Sequence, residues 1–376
     1  MNDWPPQPPR AGDEVDLGLA HRFRLRHLIG KSTFGSVWEA QWLQTGTEVA
    51  LKLARDLPAG DRRQVRLAQA LAREAEALRE LRHGHVARFM AAGTFRGQPA
   101  LVLERLHETL ESARRRAAAP AVAPLAALGW LRQIAEGVAA VHRAGWRHLD
   151  LKPSNVLLTA PGSLGGRAKL VDFGNCRRAA EAEHGLLGTV GWMAPEQLCA
   201  AVRGTRGSVY RTDTRTDVHG LGLLLFYLLT GTPTRFARWQ RDHRPRLEDA
   251  AAQWQDPQGG FSAADEAQLT AVLAQRAAAP PPVASGPAPT ITPDSAATWL
   301  ADELAPTAAP CAPAPAIGPA RHVQPDAATP GDLAALLRAL LAHAPEDRPP
   351  DADAACALVD QAITALHALP RARPAG

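Results

Sequence analysis

The spacing of apolar residues divides this 376-residue chain in two. Between residues 22 and 106 apolar positions alternate or form short runs, as in Val37 to Ala40, Val49 to Leu53 and Leu101-Val102-Leu103. A period of two marks pleated strands, and Thr45-Gly46-Thr47 between the first two runs marks a hairpin turn. One stretch breaks the alternation. From Asp61 to Arg82 the residues Val65, Leu67, Leu71, Ala75, Leu78 and Leu81 recur at helical spacing and predict a helix with one apolar stripe. Beyond residue 107 helical spacing takes over, and helices are predicted over Leu125–Arg143, Leu221–Leu229, Leu333–His343 and Ala352–Leu369. The pattern predicts an α+β, bilobal molecule: a small β-rich N-terminal lobe with one long helix over 19–106, then a larger α-helical lobe over 107–370.

Three segments lie outside this pattern. Residues 1–18 include Pro5-Pro6-Gln7-Pro8-Pro9-Arg10 and read as a disordered Pro-rich tail. Residues 371–376 form a second tail. Within the large lobe, 279–330 holds 13 of the 32 prolines, so it reads as a flexible Ala/Pro-rich insertion, with a short helix at Ser295–Leu304 at most. The tail and the insertion are candidate partner-binding segments.

Composition narrows the class. With 46% apolar and 21% charged residues the chain is globular, and a net charge of +4 gives no basic signature for nucleic acid. No run of eighteen apolar residues exists to span a membrane. The four cysteines (Cys176, Cys199, Cys311 and Cys356) are widely spaced, with neither a C-x-x-C pair nor a disulfide frame. Reduced thiols of a cytoplasmic protein are the expectation.

Lysine changes the picture most. Only 4 of the 42 basic residues are Lys. They are Lys31 in Gly30-Lys31-Ser32-Thr33-Phe34-Gly35, Lys52 in Val49-Ala50-Leu51-Lys52, Lys152 in His148-Leu149-Asp150-Leu151-Lys152-Pro153-Ser154-Asn155, and Lys169 in Lys169-Leu170-Val171-Asp172-Phe173-Gly174. An ammonium is a compact point charge, whereas a guanidinium is a broad fork, so a site shaped for one phosphate oxygen can require Lys. Each stretch reads as phosphate-handling machinery, and the set points to a nucleotide-dependent phosphotransferase.

Taken in order with Ala194-Pro195-Glu196, Thr216-Asp217-Val218 and Pro345-Glu346-Asp347-Arg348-Pro349, these motifs resemble the eukaryotic-like (bacterial-type) Ser/Thr protein kinases. The resemblance covers about residues 22–235 and 332–365. It implies a bilobal protein-kinase-like fold, ATP and Mg²⁺ as cofactors, and transfer of the γ-phosphate to hydroxyls of protein substrates. Gly30, Gly35, Val37, Ala50, Lys52, Glu74, Glu104 and Leu106 are then expected around ATP, with Lys52 on the α- and β-phosphates and Glu74 paired to it. Asp150 is expected as the base that receives the hydroxyl proton, Lys152 as the neutraliser of the moving phosphoryl group, and Asn155 and Asp172 as oxygen ligands of Mg²⁺. Thr189, Glu196, Asp217 and Arg348 are expected to shape the activation segment and its support: Thr189 on the catalytic Asp and Lys, Glu196 on Arg348, Asp217 on the catalytic-loop backbone. His148, Phe173, Leu78 and Phe89 are expected to stack between the lobes.

Two departures from the family pattern stand out. Ser32 occupies the place of a usual Gly. Leu149 stands where regulated members carry an Arg that meets a phosphorylated residue, and Asn175 to Gly188 contains no Ser, Thr or Tyr. Receptor and acceptor are missing together, so activity independent of activation-segment phosphorylation is expected, with ordering left to packing at Leu186 and Leu187 or to a partner. Two other readings remain. Ser32 and Leu149 suit a pseudokinase scaffold, but every charged catalytic position is filled. The Asp/Asn/Asp set suits a small-molecule phosphotransferase of the antibiotic- or choline-kinase type, but Lys152, Ala194-Pro195-Glu196 and Asp217 do not.

Overall fold

A computed structural model describes residues 8–18, 21–31, 35–55, 61–116, 122–160, 166–181, 187–198, 212–244, 260–278 and 330–368. Strands β1 (Glu14–Asp16), β2 (Arg22–Lys31), β3 (Gly35–Trp42), β4 (Glu48–Ala54), β5 (Phe89–Phe95) and β6 (Gln98–Glu104) form one antiparallel sheet in the order β1-β2-β3-β4-β6-β5. The turn between β3 and β4 closes with Gly46 at φ 75°, its N–H on the Trp42 carbonyl. Strand alternation then sorts β4. Val49, Leu51 and Leu53 join Phe23, Leu25 and Val102 on one face, and Ala50 and Lys52 fall on the other.

Helix α1 (Arg62–Glu80) covers that second face. Asp61 caps it, accepting from the Arg63 N–H at 2.8 Å. Leu71, Ala75 and Leu78, with Leu81 just past its end, are buried as the stripe predicts, but Val65 is 60% exposed. The buried stripe starts only at Ala70, one turn and a half later than the spacing suggested, because the helix's first turns run past the packed face. Residues 1–18 also differ from the expected tail. β1 pairs with β2, and Val15 and Leu17 are buried, so at least Glu14–Asp16 is an edge strand whose alternation is too short to read in sequence. Residues 1–7 lie outside the described residues.

The second lobe contains β7 (Glu108–Thr109), α2 (Leu110–Arg116), α3 (Pro124–Arg143), β8 (Trp146–Arg147), β9 (Val156–Leu158), β10 (Ala168–Leu170), β11 (Arg177–Arg178), α4 (Thr214–Thr230), α5 (Arg235–Asp242), α6 (Ala263–Ala278), α7 (Pro330–Leu340) and α8 (Ala352–Ala368). Two small sheets, β10-β9-β7 and β11-β8, carry the loops between α3 and α4. Helix α4 is buried on all sides from Thr216 to Thr230. Asp213 caps its start, accepting from the Arg215 N–H, and Gly231 at φ 75° ends it. The apolar run from Leu221 shows only its centre; two further turns carry the polar residues Thr216, Asp217 and His219 into the core. One buried cluster continues from Leu71 and Leu78 on α1 through Phe173 to Leu224 on α4 and Val359 on α8. Among the described residues no helix is long and apolar enough to cross a membrane. Residues 279–329, with the helix expected at 295–304, lie outside the described residues, and α7 starts at Pro330.

His219 is fully buried, both ring nitrogens lack hydrogen-bond partners, and its ring meets the edge of Phe236 at 6.4 Å. Burial holds its pKa well below the ordinary value, and the charges of Arg348 and His343 add to the effect. The unfolded chain therefore binds a proton near pH 6.5 that the folded chain refuses. Stability from this residue is complete above that pH and falls as pH drops below it, by up to about 1.4 kcal/mol per pH unit. Urea unfolding of wild type and His219→Phe at neutral and mildly acidic pH is expected to show a shallower acid loss in the variant.

Candidate active site

The site is assembled from strand, helix and three loops, each bringing a charge that burial would otherwise forbid. β4 presents Lys52, whose Nζ lies 2.6 Å from Glu74 Oε2 on α1 and 2.7 Å from Asp172 Oδ1. Burial alone pushes the lysine pKa down, but the charges of Asp172 and Glu74 outweigh it and hold it raised, so the ammonium is charged. Burial pushes Glu74 up, against the Lys52 charge. Burial also acts on Asp172, but Lys52 and Lys152 overcome it and hold that carboxyl low. With both acids ionised the trio carries one cation against two carboxylates, an excess of negative charge beside the cleft.

Asp150 gathers donors from three segments. Lys152 Nζ reaches Oδ2 at 2.8 Å, and the Thr189 hydroxyl donates to Oδ1 at 2.6 Å while accepting from Lys152 Nζ at 2.6 Å. Asn155 Nδ2 donates to the Asp150 carbonyl at 2.9 Å and to Oδ2 at 3.2 Å. Asn175 Nδ2 also reaches Oδ2, at 3.2 Å. The predicted chemical set thus falls into two networks, Lys52–Glu74–Asp172 and Asp150–Lys152–Asn155–Thr189, with the Lys152 charge acting on Asp172 between them. Asn175 was not anticipated, since an amide after Phe173-Gly174 has no periodic signal.

The loop holding Asp150 is fixed from beneath. Asp217 on α4 accepts from the N–H groups of His148 and Leu149, both at 2.8 Å, and pairs with His142 Nε2 at 3.0 Å. Burial would raise its pKa, but the His142 hydrogen bond, nearby His charges and the backbone donors hold it low. These bonds keep Leu149 at φ 63°, and Asp172 also sits at φ 62°. Left-handed backbone at a non-Gly residue costs about 1–3 kcal/mol and persists only where its surroundings over-determine it. The rings of His148 and Phe173 meet tilted at 58° with centroids 4.7 Å apart, and Phe173 lies in the same buried cluster as Leu78, with Phe89 against it.

The remaining predicted residues take different places. Val37 pairs with Lys52 and Ala50 with Leu103 across the sheet. Gly35 is required for packing: a Cβ there would come 1.9 Å from the Leu53 carbonyl oxygen. Gly30 lies at the end of β2, opposite Val37, while Ser32 falls outside the described residues. Leu106 is buried. Glu104 spends its carboxylate on Lys169 Nζ and the Arg88 N–H, both at 2.7 Å. Lys169 is therefore a clamp on Glu104, and Lys31 is an exposed strand end. Only two of the four lysines, Lys52 and Lys152, reach the charged cluster; the others followed from reading all four alike. Cys176 is buried with its thiol pKa pushed up by burial, which makes it inert.

Glu196 and Arg348 form a two-point pair at 2.8 and 3.0 Å, and Arg348 also donates to the carbonyls of Ala342 and His343. The equally buried Arg147 was missed. Its guanidinium donates to the carbonyls of Thr212, Arg178 and Glu181, and to the Thr212 hydroxyl at 2.8 Å. Arg147 thus ties the start of the segment that the sequence left to Leu186 and Leu187 to Thr212, just before α4; Leu186 is outside the described residues. Its only sequence signal was an Arg placed next to His148 in a buried motif.

Mg²⁺ is tested by donor chemistry. Among the described residues no three His, Cys, Asp or Glu side chains gather as a closed metal cage. A cation that takes one or two protein oxygens and keeps waters and phosphate ligands needs no cage. Asp172 and Asn155 fit that need. A separate cavity of about 290 Å³, lined by residues including Phe261, Glu266, Arg338 and His343, contains none of these groups.

This geometry belongs to a known class. The model of the protein kinase domain family matches residues 23–357, and the chain belongs to that family. Among its relatives are the serine/threonine-protein kinase pkn2 of Myxococcus xanthus, 33% identical over 224 residues (57% of this chain and 25% of that protein), and the serine/threonine-protein kinase PknE of Mycobacterium tuberculosis strain H37Rv, 32% identical over 215 residues (56% and 35%). CBL-interacting protein kinase 30 of Oryza sativa subsp. japonica is 32% identical over 215 residues (56% and 42%). The match thus spans less than half the length of each of these relatives.

Removing Arg348 strands Glu196 beside the start of α4. Arg348→Ala is expected to cost about 3–5 kcal/mol by chemical denaturation, as breaking a buried pair does. Arg348→Lys is expected to recover only a fraction, because one ammonium cannot reproduce the two-point contact and the carbonyl bonds.

Proposed function

We propose that this chain is a Ser/Thr protein kinase that transfers the γ-phosphate of ATP to hydroxyls of protein substrates, without needing phosphate on its activation segment. The observation that carries the reading is the simultaneous presence of two linked charge sets, Lys52–Glu74–Asp172 and Asp150–Lys152–Thr189, at hydrogen-bond distances. Lys52 between buried Glu74 and partly exposed Asp172 could serve packing alone, but the Asp150–Lys152–Thr189 set beside it is one that a scaffold does not require. The pairing of Glu196 with Arg348 and the contact of Thr189 with Asp150 and Lys152 favour a protein hydroxyl over a small molecule as acceptor.

In this reading Lys52 holds the α- and β-phosphates and Glu74 fixes its position. Gly30, Gly35, Val37 and Ala50 line the nucleotide, and Glu104 and Leu106 contribute their backbone, since the Glu104 carboxylate is already used. Asp150 orients the substrate hydroxyl and takes its proton as oxygen attacks the γ-phosphorus and the bond to ADP breaks. Lys152 faces the equatorial phosphoryl oxygens, where negative charge spreads in the transition state. Asn155 and Asp172 would hold Mg²⁺, which would offset the charge of the phosphates. Thr189 occupies Asp150 Oδ1 until a substrate hydroxyl displaces it. Protein substrates are the required partners; the Pro-rich stretch before β1 and residues 279–330 stay candidate partner-binding segments. Buried free Cys176 and Cys356 suit a cytoplasmic, reducing setting.

The test is label transfer from ATP with Mg²⁺ to a generic protein substrate. Asp150→Ala and Asp172→Ala are each expected to lose at least ~10²-fold in kcat, as removal of a positioned base or a preorganised charge does. Folded variants with wild-type rates would end this reading.

A further inference from the structure

Helix α1 carries Glu74, and on its sheet side it is held by apolar packing, by Glu74 on Lys52 and by Gln64 donating to Gln98 of β6. A second anchor comes from β11. Arg178 Nη2 donates to Glu76 Oε1 at 2.8 Å and to Glu80 Oε1 at 2.6 Å, and its Nη1 donates to Glu80 Oε2 at 3.0 Å. The guanidinium lies 4.0 Å over the Trp146 ring, and Trp146 Nε1 donates to Glu80 Oε2 at 2.9 Å. Hydrogen bonds from Arg178 and Trp146 hold the Glu80 carboxyl below its ordinary range. A further pair, Arg73 with Glu181 at 3.6 Å, joins the same two segments.

The other end of this clasp is fixed as well. Arg178 pairs with Trp146 in the β11-β8 ladder, and its carbonyl accepts from the buried Arg147. Arg147 immediately precedes His148, so the catalytic loop, β11 and α1 are joined through a row of cations and carboxylates. Glu76 and Glu80 lie one turn apart on a single face, and Glu74 is two residues before them. An ordinary exposed ion pair contributes little. This one differs in having two acids on one planar fork and an aromatic face behind it.

We propose that Arg178 is a positioning residue: it holds α1 where Glu74 reaches Lys52, and so supplies from within the chain the order that a phosphate on this segment would supply elsewhere. The proposal rests on the kinase reading above and adds the residue that makes phosphate unnecessary.

The experiment uses the full 376-residue chain. Wild type, Arg178→Ala, the nearly isosteric Glu76→Gln/Glu80→Gln pair and the triple variant are compared in three measurements: ATP affinity by calorimetry, kcat and KM for ATP with a generic peptide, and thermal midpoint. Each of the first two variants is expected to lose about tenfold in kcat/KM for ATP, since each uncouples α1 from β11. KM for the peptide should not move. The triple variant is expected to be no worse than either, because all remove the same clasp. Raising salt to about 0.5 M should bring wild type toward the variants, which a purely packing role would not do. Activity of Arg178→Ala within about twofold of wild type, or losses that multiply in the triple variant, would overturn the proposal. Should Arg178→Ala not fold, the Glu76→Gln/Glu80→Gln pair decides alone. Should wild type transfer no phosphate, the kinase reading fails, and the ATP affinities of the same variants still decide whether the clasp places Lys52.

Discussion

The fold turns on one buried ammonium. Lys52 is 5% exposed, and a lone charge at that depth would shed its proton or stay out of the core. It remains charged because two acids from different elements meet it, Glu74 from α1 and Asp172 from the loop before the 3-10 turn at Phe173–Asn175. That requirement fixes the sheet, the helix and the loop relative to each other. Within the trio Asp172 is held low by the Lys52 and Lys152 charges. The same three residues therefore specify both the packing of α1 and the chemistry.

A second constraint works through the backbone. Leu149 and Asp172 occupy left-handed conformations that their side chains disfavour, and Asp217 supplies the bonds that hold the first of them. Burying Asp217 on α4 is tolerable because His142 and two N–H groups surround its carboxylate. Strain is thus kept beside the chemistry and restrained by a helix that has no contact with solvent from Thr216 on.

Much of this was legible in the sequence. Alternation at Val49–Leu53 placed Lys52 on the face opposite the apolar neighbours, and helical spacing found α1, although its stripe did not show that Val65 would be exposed. The charged set was legible because short motifs fix the residue type and its strand or loop at once. What stayed hidden has physical causes. Edge strand β1 is three residues long, too short for a period. Lys169 and Lys52 look alike in sequence, and only tertiary placement sends one to Glu104. Arg147 and Arg178 were lost among many arginines, since a chain rich in Arg gives a functional one no contrast. The pair Glu76 and Glu80 reads as an ordinary solvated helix face until β11 is laid against it.

The absence of an Arg at position 149 takes on a different meaning beside Arg147 and Arg178. The segment that follows Phe173 is anchored through its own carbonyls and through carboxylates of α1, the kind of order that the proposed independence from added phosphate requires. The most direct measurement is a progress curve of peptide phosphorylation by phosphatase-treated protein, with Mg²⁺-ATP added at time zero and phosphate on the chain mapped by mass spectrometry. A rate that is linear from the first time point, with Thr189 unmodified, is the predicted result. A lag removed by preincubation with ATP, in step with phosphate appearing on Thr189, would contradict it.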